Sequence, residues 1–184
     1  PDVYLTVSNR LLPSIRFYDR VSTTVLNSYV GPILKSYISS LVSKLQHAHF
    51  SGILLIMQSN GGVISPELAV ERAAVTLLSG PAAGPVAGVE YAAAQGYSDC
   101  ITVDMGGTSF DASLVRDRAP TVTTSGEIAH LKLALPMLNV VTIGAGGGSI
   151  GWIDEGDFLK IGPQSAGSNP GPACYDLGGE LPTC

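Results

Sequence analysis

The chain has 184 residues, a formal net charge of −5 and only 14% charged residues against 45% hydrophobic ones, which excludes an intrinsically disordered chain. No basic patch of the kind a nucleic-acid binder carries is visible, and the longest purely apolar run, Ile53-Leu54-Leu55-Ile56-Met57, is far short of the ~20 residues a membrane-crossing helix needs. Cys100, Cys174 and Cys184 are sparse, odd in number and without C-x-x-C spacing, so reduced thiols in a soluble cytoplasmic protein are expected rather than disulfides or a zinc site.

In chain order, the first predicted element is a helix over 32–45, where Ile33, Leu34, Tyr37, Ile38, Leu41, Val42 and Leu45 recur at helical spacing and read as a core-facing stripe. His47 and His49 follow as a solvated loop rather than a metal site. The short bulky run 53–58 reads as a buried parallel strand, and Ser59-Asn60-Gly61-Gly62 as a turn. Ser65-Pro66-Glu67 is a helix start, with Ser as N-cap, Pro at the first helical position and an acid in the first turn. The run 75–78 is a candidate strand, ended by Ser79-Gly80-Pro81. A small-residue helix is expected over 82–95, with Gly96 as its C-terminal cap.

Two β-type runs then flank Gly106-Gly107, predicting a hairpin over 101–115. Strands at 140–143 and 150–153 enclose Gly144-Ala-Gly-Gly-Gly-Ser149, and from Gly162 onward the chain is rich in turns. Strands alternating with helices before a hairpin give an α/β class. No repeat of 20–50 residues is present.

The stretch Val103-Asp104-Met105-Gly106-Gly107-Thr108-Ser109-Phe110-Asp111 is the most informative chemically. Asp104 ends a strand, the glycines let backbone approach a ligand, and successive N–H groups in such a turn can cradle phosphate oxygens. Thr108 and Ser109 add hydroxyls, and Asp111 returns a second carboxylate to the same edge. Two acids beside phosphate donors suit Mg²⁺. The alternative is an ordinary hairpin whose Asp and Gly serve turn geometry. The loop 144–149 lacks the G-x-G-x-x-G spacing of a dinucleotide site. Cys174 has no evident activating base, and His130 beside Glu127 reads as a surface residue.

These motifs resemble, in order, those of the hydantoinase and 5-oxoprolinase family, alpha-type subunit, within the actin, sugar kinase and heat-shock ATPase superfamily. The resemblance rests on Leu78-Ser-Gly-Pro-Ala-Ala-Gly84, Asp104 to Asp111, Thr142-Ile-Gly-Ala-Gly-Gly-Gly-Ser-Ile150, Gly162-Pro-Gln-Ser-Ala-Gly167 and Asn169-Pro-Gly-Pro-Ala-Cys-Tyr175, with Ser22-Thr23-Thr24 and Asn27 also fitting. It implies a ribonuclease-H-like, actin-type α/β fold with a mixed sheet and flanking helices. It also implies that residues 1–184 are one incomplete domain and an internal fragment, with a lead-in over 1–50 and an α/β core over 51–184. Asn139 departs from the pattern, where an acid is expected.

The function implied is ATP-dependent opening of a cyclic amide such as a hydantoin or 5-oxoproline, by phosphorylation of the amide oxygen before hydrolysis. Its cofactors would be ATP and Mg²⁺, and its partner a beta-type subunit or domain within an oligomer. The resemblance makes Asp104 and Asp111 catalytic and metal-binding. Gly106, Gly107, Thr108 and Ser109, together with Gly146, Gly147 and Gly148, would bind the nucleotide. The parent would be an enzyme and the isolated chain inactive. Acetone or acetophenone carboxylase chemistry, or a non-catalytic actin-like fragment, are the competing expectations.

Overall fold

Helices dominate the first half of the chain, interrupted by one short strand pair, and short strands the second. In the computed structural model, which describes residues 3–184, the order is α1 (Ser8–Leu11), α2 (Phe17–His47), β1 (Ile56–Met57), β2 (Val63–Ile64), α3 (Pro66–Glu71), a 3₁₀ turn (Ala73–Thr76) and α4 (Ser79–Ala94). There follow β3 (Cys100–Met105), β4 (Phe110–Arg116), β5 (Ala119–Pro120), β6 (Val122–Thr123), β7 (Gly126–Ile128), β8 (Leu131–Leu133), β9 (Met137–Leu138), β10 (Val140–Ile143), β11 (Ser149–Ile153), β12 (Leu159–Ser165) and a 3₁₀ turn (Ala173–Tyr175). Every strand pairing is antiparallel among the described residues. None of the described helices is long and apolar enough to cross a membrane. The described residues up to Ala87, with Pro120–Asn139, form one compact unit; Gly88–Ala119 and Val140–Cys184 form a second.

In the first unit α2 runs well beyond the predicted helix, beginning fifteen residues earlier and carrying Pro32 inside it. Its buried face is small and polar: Ser22, Thr23, Asn27 and Gly31, with Leu26 and Ile38. The Asn27 side chain donates to Thr6 Oγ1 at 3.0 Å and accepts the Ala74 N–H at 2.9 Å. Thr23 Oγ1 donates to the Asp19 carbonyl at 2.8 Å and accepts the Ala134 N–H at 3.0 Å. Asn27 and Thr23 thus pair the backbone amides of Ala74 and Ala134, and a buried amide left unpaired costs about 1–3 kcal/mol. Gly31 is required beneath the Tyr4 ring, since a Cβ there would lie 2.1 Å from it. Leu11, Leu26, Ala74, Val75, Leu133, Leu135 and Met137 make the apolar core. Part of the predicted core stripe is solvent-facing instead, with Ile33 66% and Tyr37 62% exposed. His47 is the last residue of α2 rather than part of a loop.

Two further expectations in this unit are corrected. The run 53–58 is no buried parallel strand: only Ile56–Met57 pairs, antiparallel to Val63–Ile64, and Ile53 is exposed. The turn 59–62 is tight enough to fold the chain straight back, with Asn60 Oδ1 accepting the Gly62 N–H at 2.9 Å. Val75 lies in a 3₁₀ turn, not a strand, because Ser59 captures its carbonyl through both N–H (2.7 Å) and Oγ (2.8 Å). The α3 start is as predicted, with Ser65 Oγ accepting from Leu68 N–H at 3.4 Å. The first-turn Glu67 is held below the ordinary glutamate range by backbone and Ser65 hydrogen bonds. Helix α4 begins at Ser79, slightly before the predicted start, and Gly96 follows its end with φ of 82°.

In the second unit β3, β4 and β10 form a sheet in the order β10-β4-β3. The register pairs Asp104 with Asp111 and Thr142 with Asp111. Gly88 packs against this sheet, where a Cβ would lie 2.2 Å from Thr102 Cγ2. The hairpin of β11 and β12 extends into the region read from sequence as turns only, and Trp152 Nε1 pins it by donating to the Gly162 carbonyl at 2.7 Å. Ile150 bridges Thr183, and Gly151 N–H donates to the Pro182 carbonyl.

Candidate functional site: a carboxylate pair beside two interlocked glycine turns

Residues directly opposite on antiparallel strands project to the same sheet face. Asp104, Asp111 and Thr142 are opposite one another in β3, β4 and β10, so they form one polar row across three strands. Asp111 is the better held of the two acids. Thr142 Oγ1 donates to its Oδ1, and Ser109 Oγ donates to its Oδ2 at 3.1 Å. Asp104 is exposed and its side chain has no hydrogen-bond partner among the described residues.

The turn between the strands is closed by the Gly106 N–H donating to the Ser109 carbonyl at 3.1 Å. The N–H groups of Gly107 and Thr108 make no hydrogen bond among the described residues, which leaves two adjacent donors at the tip. A Cβ built on Gly106 or Gly107 meets nothing within 4 Å. The Gly106 and Gly107 side of the tip therefore faces open space, as an anion-cradling turn requires, while the Thr108 nitrogen lies against Gly146.

The glycine loop 144–149 is docked onto this turn. Gly147 N–H donates to the Gly106 carbonyl at 2.9 Å and Gly148 N–H to the Gly107 carbonyl at 2.8 Å. Ser149 closes the loop on itself, its Oγ accepting the Gly146 N–H at 2.9 Å and its own N–H reaching the Gly146 carbonyl at 2.8 Å. A Cβ on Gly146 would lie 2.5 Å from Thr108 N and 2.7 Å from Gly107 C, so only glycine allows the contact. Gly146, Gly147 and Gly148 are thus spent largely on the turn, with only their outer side left for a ligand.

A groove of about 550 Å³ opens along Gly106, Gly107, Gly147 and Gly148, walled by Met105, Pro172 and Tyr175 and free of charged side chains. Met105 and Asp104 are consecutive in one strand and so project to opposite faces. The groove consequently lies on the side of the hairpin away from the carboxylates, and the two share only the turn. Both acids and all seven turn residues singled out from sequence occur in this one region. The Ser109 hydroxyl is turned toward Asp111.

Thr142, Met105 and Tyr175 lie inside the motifs the sequence offered, but their residue types alone gave none of them a role of its own. Thr142 carried a faint signal, a hydroxyl in an otherwise apolar strand, but only the register of β10 places it on Asp111. Among the described residues no three His, Cys, Asp or Glu side chains converge as a metal cluster. The two-acid row is the arrangement present, and it fits a cation that takes its remaining ligands from phosphate and water.

Comparison with known proteins gives this geometry a context. The family model described as Hydantoinase/oxoprolinase matches residues 20–184. The chain is 40% identical over 183 residues to caprolactamase subunit alpha of Pseudomonas jessenii, covering 100% of this chain and 26% of that protein. The crystal structure of the ATP-dependent caprolactamase from the same organism superposes with a TM-score of 0.82 at 41% identity, again over 100% of this chain and 26% of the other. The nucleotide-free acetone carboxylase structure, from work on ATP-dependent acetone carboxylation, gives 0.76 at 30% identity over 96% and 25%. The chain spans about a quarter of the length of these relatives. The α/β fold expected from the sequence is the one it shares with both solved structures.

Proposed function

Because the chain belongs to the hydantoinase/oxoprolinase family, we propose that it is the phosphate-binding segment of an ATP-dependent enzyme that opens a cyclic amide. The segment 1–184 is read as one incomplete domain of that enzyme. The observation that carries the proposal is the pair of free N–H donors on Gly107 and Thr108 beside the Asp104–Asp111 pair. The ATP dependence named for the solved relatives supports the nucleotide, and the lactam in the name caprolactamase supports the substrate class.

In this reading the Gly107 and Thr108 amides and the Thr108 hydroxyl hold phosphate oxygens at the turn. Asp104 and Asp111 hold Mg²⁺, directly or through water, and the cation supplies charge neutralisation for phosphoryl transfer. The glycine loop keeps the turn in place through its two backbone hydrogen bonds. The amide oxygen takes the γ-phosphoryl group as the bond to ADP breaks. Water then adds to the ring carbon, and the C–N bond breaks with its electron pair and a proton going to nitrogen. The acyl phosphate left behind hydrolyses to carboxylate and inorganic phosphate. A partner subunit completing the enzyme, and a cytoplasmic setting, belong to the same proposal.

The likeness to acetone carboxylase supports a second reading, in which the same phosphate site activates a different acceptor. The test is Asp111→Asn in the enzyme that carries this segment. ATP turnover should fall by at least about a hundredfold, as for removal of a group stabilising the transition state, with the circular dichroism spectrum unchanged. Wild-type turnover in this variant overturns the assignment. Product analysis with a lactam against a ketone plus bicarbonate separates the two chemistries.

A further inference from the structure

The proposed role of Asp111 leaves open what orients it, and the three-strand row supplies a candidate. A carboxylate on a strand ordinarily samples several rotamers, but each oxygen of Asp111 accepts a hydroxyl: Thr142 Oγ1 on Oδ1 and Ser109 Oγ on Oδ2. Hydrogen bonds to a charged group are stronger than neutral ones, so two of them fix both the rotamer and the plane of the carboxylate. The two donors differ in origin. Ser109 belongs to the same turn as Asp111 and moves with it. Thr142 is on β10, a separate strand, and is followed directly by Ile143 and the glycine loop that docks on Gly106 and Gly107.

We propose that Thr142 is a positioning residue. Its hydroxyl sets the orientation of the Asp111 carboxylate and ties that orientation to the seating of the glycine loop on the phosphate turn. The inference rests on the reading of Asp111 as a group facing the metal-bound nucleotide. A purely structural Thr142 would matter only for its β-branched shape, which valine reproduces.

The test compares Thr142→Val, Thr142→Ser and Asp111→Asn in the enzyme that carries this segment. The readouts are Mn²⁺·ADP affinity by electron paramagnetic resonance, kcat and KM for ATP, and the thermal midpoint. Thr142→Val should weaken Mn²⁺·ADP binding and lower kcat/KM by about tenfold or more, the scale of a lost hydrogen bond to a charge. Its thermal midpoint should stay within a degree or two of wild type, and Thr142→Ser should recover most of the affinity. The positioning role is overturned if Thr142→Val binds Mn²⁺·ADP as wild type while Asp111→Asn does not. Equal losses in the Val and Ser variants with a lowered midpoint overturn it in favour of a packing role. An Asp111→Asn enzyme that binds and turns over normally overturns the site reading itself, and this inference with it.

Discussion

Gly146 and Gly107, on the two interlocked turns, illustrate how much a single Cβ decides. At Gly146 an added methyl would meet the backbone of Thr108 at 2.5 Å, whereas at Gly107 it would point into open space. Gly146→Ala must therefore separate the two turns, and Gly107→Ala must leave them in contact. We expect Gly146→Ala to lower stability by about 1–3 kcal/mol, the range for overpacking, and to lower nucleotide affinity with it. Gly107→Ala should keep the wild-type melting temperature and lose affinity alone, because its methyl occupies the space proposed for phosphate. Differential scanning calorimetry paired with nucleotide titration distinguishes them, and identical behaviour of the two variants would refute the interlocked-turn account. The buried Asn27 shows the same dependence on a single residue from the other side. No apolar isostere can serve both the Thr6 hydroxyl and the Ala74 amide.

At the scale of elements, the hairpin of β11 and β12 is held at its turn by one carboxylate. Asp154 Oδ1 accepts the N–H groups of Phe158 at 3.0 Å and Gly156 at 2.9 Å, and Lys160 lies 3.4 Å from its Oδ2. The Phe158 amide foremost, with Gly156 and Lys160, holds this carboxyl below the ordinary aspartate range despite some desolvation. A lowered folded-state value means that the stabilisation is complete above the unfolded aspartate value of about 4. It is lost as pH falls through the lowered value. Amide resonances of Gly156 and Phe158 should therefore titrate together below about pH 4, and Asp154→Asn should abolish that transition. Independent titration of the two amides would show that Asp154 does not organise the turn. The β7–β8 hairpin shows why some elements escape a sequence reading. Its turn is Ala129-His130, both at positive φ (49° and 64°), where Asn-Gly is the recognisable signal.

On the scale of the molecule, apolar surface is left uncovered in each unit taken by itself. In the first, Val21, Val25, Tyr29, Ile33 and Tyr37 follow one another at four-residue spacing along α2 and are all exposed. In the second, the sheet face opposite the carboxylates carries Ile101, Val103, Met105, Val141 and Ile143, with Ile101 70% exposed. Contiguous apolar patches of this kind are adhesive in water. The 184-residue chain should sediment above its 19.0 kDa monomer mass as concentration rises. Val103→Lys combined with Val141→Lys should return it towards monomer without changing its circular dichroism. A wild-type chain that stays monomeric at high concentration would show that this face does not drive association.

The amino-acid sequence by itself determined the features whose physics is local. The Ser65 cap, the 59–62 turn, the Gly96 helix end and the Asp104–Asp111 hairpin each follow from steric and hydrogen-bonding preferences within a few residues. The order of motifs likewise sufficed to place the chain in its family. Only the tertiary structure decided which way α2 faces. Its inward side is polar because Thr23 and Asn27 answer backbone amides 111 and 47 residues away, which no helical periodicity reveals. It also decided that Val75 turns instead of extending, that Gly146 must stay a glycine, and that Thr142 meets Asp111. Each of these depends on which distant backbone or side chain arrives in contact, and that is settled by strand register and packing rather than by neighbours in the chain.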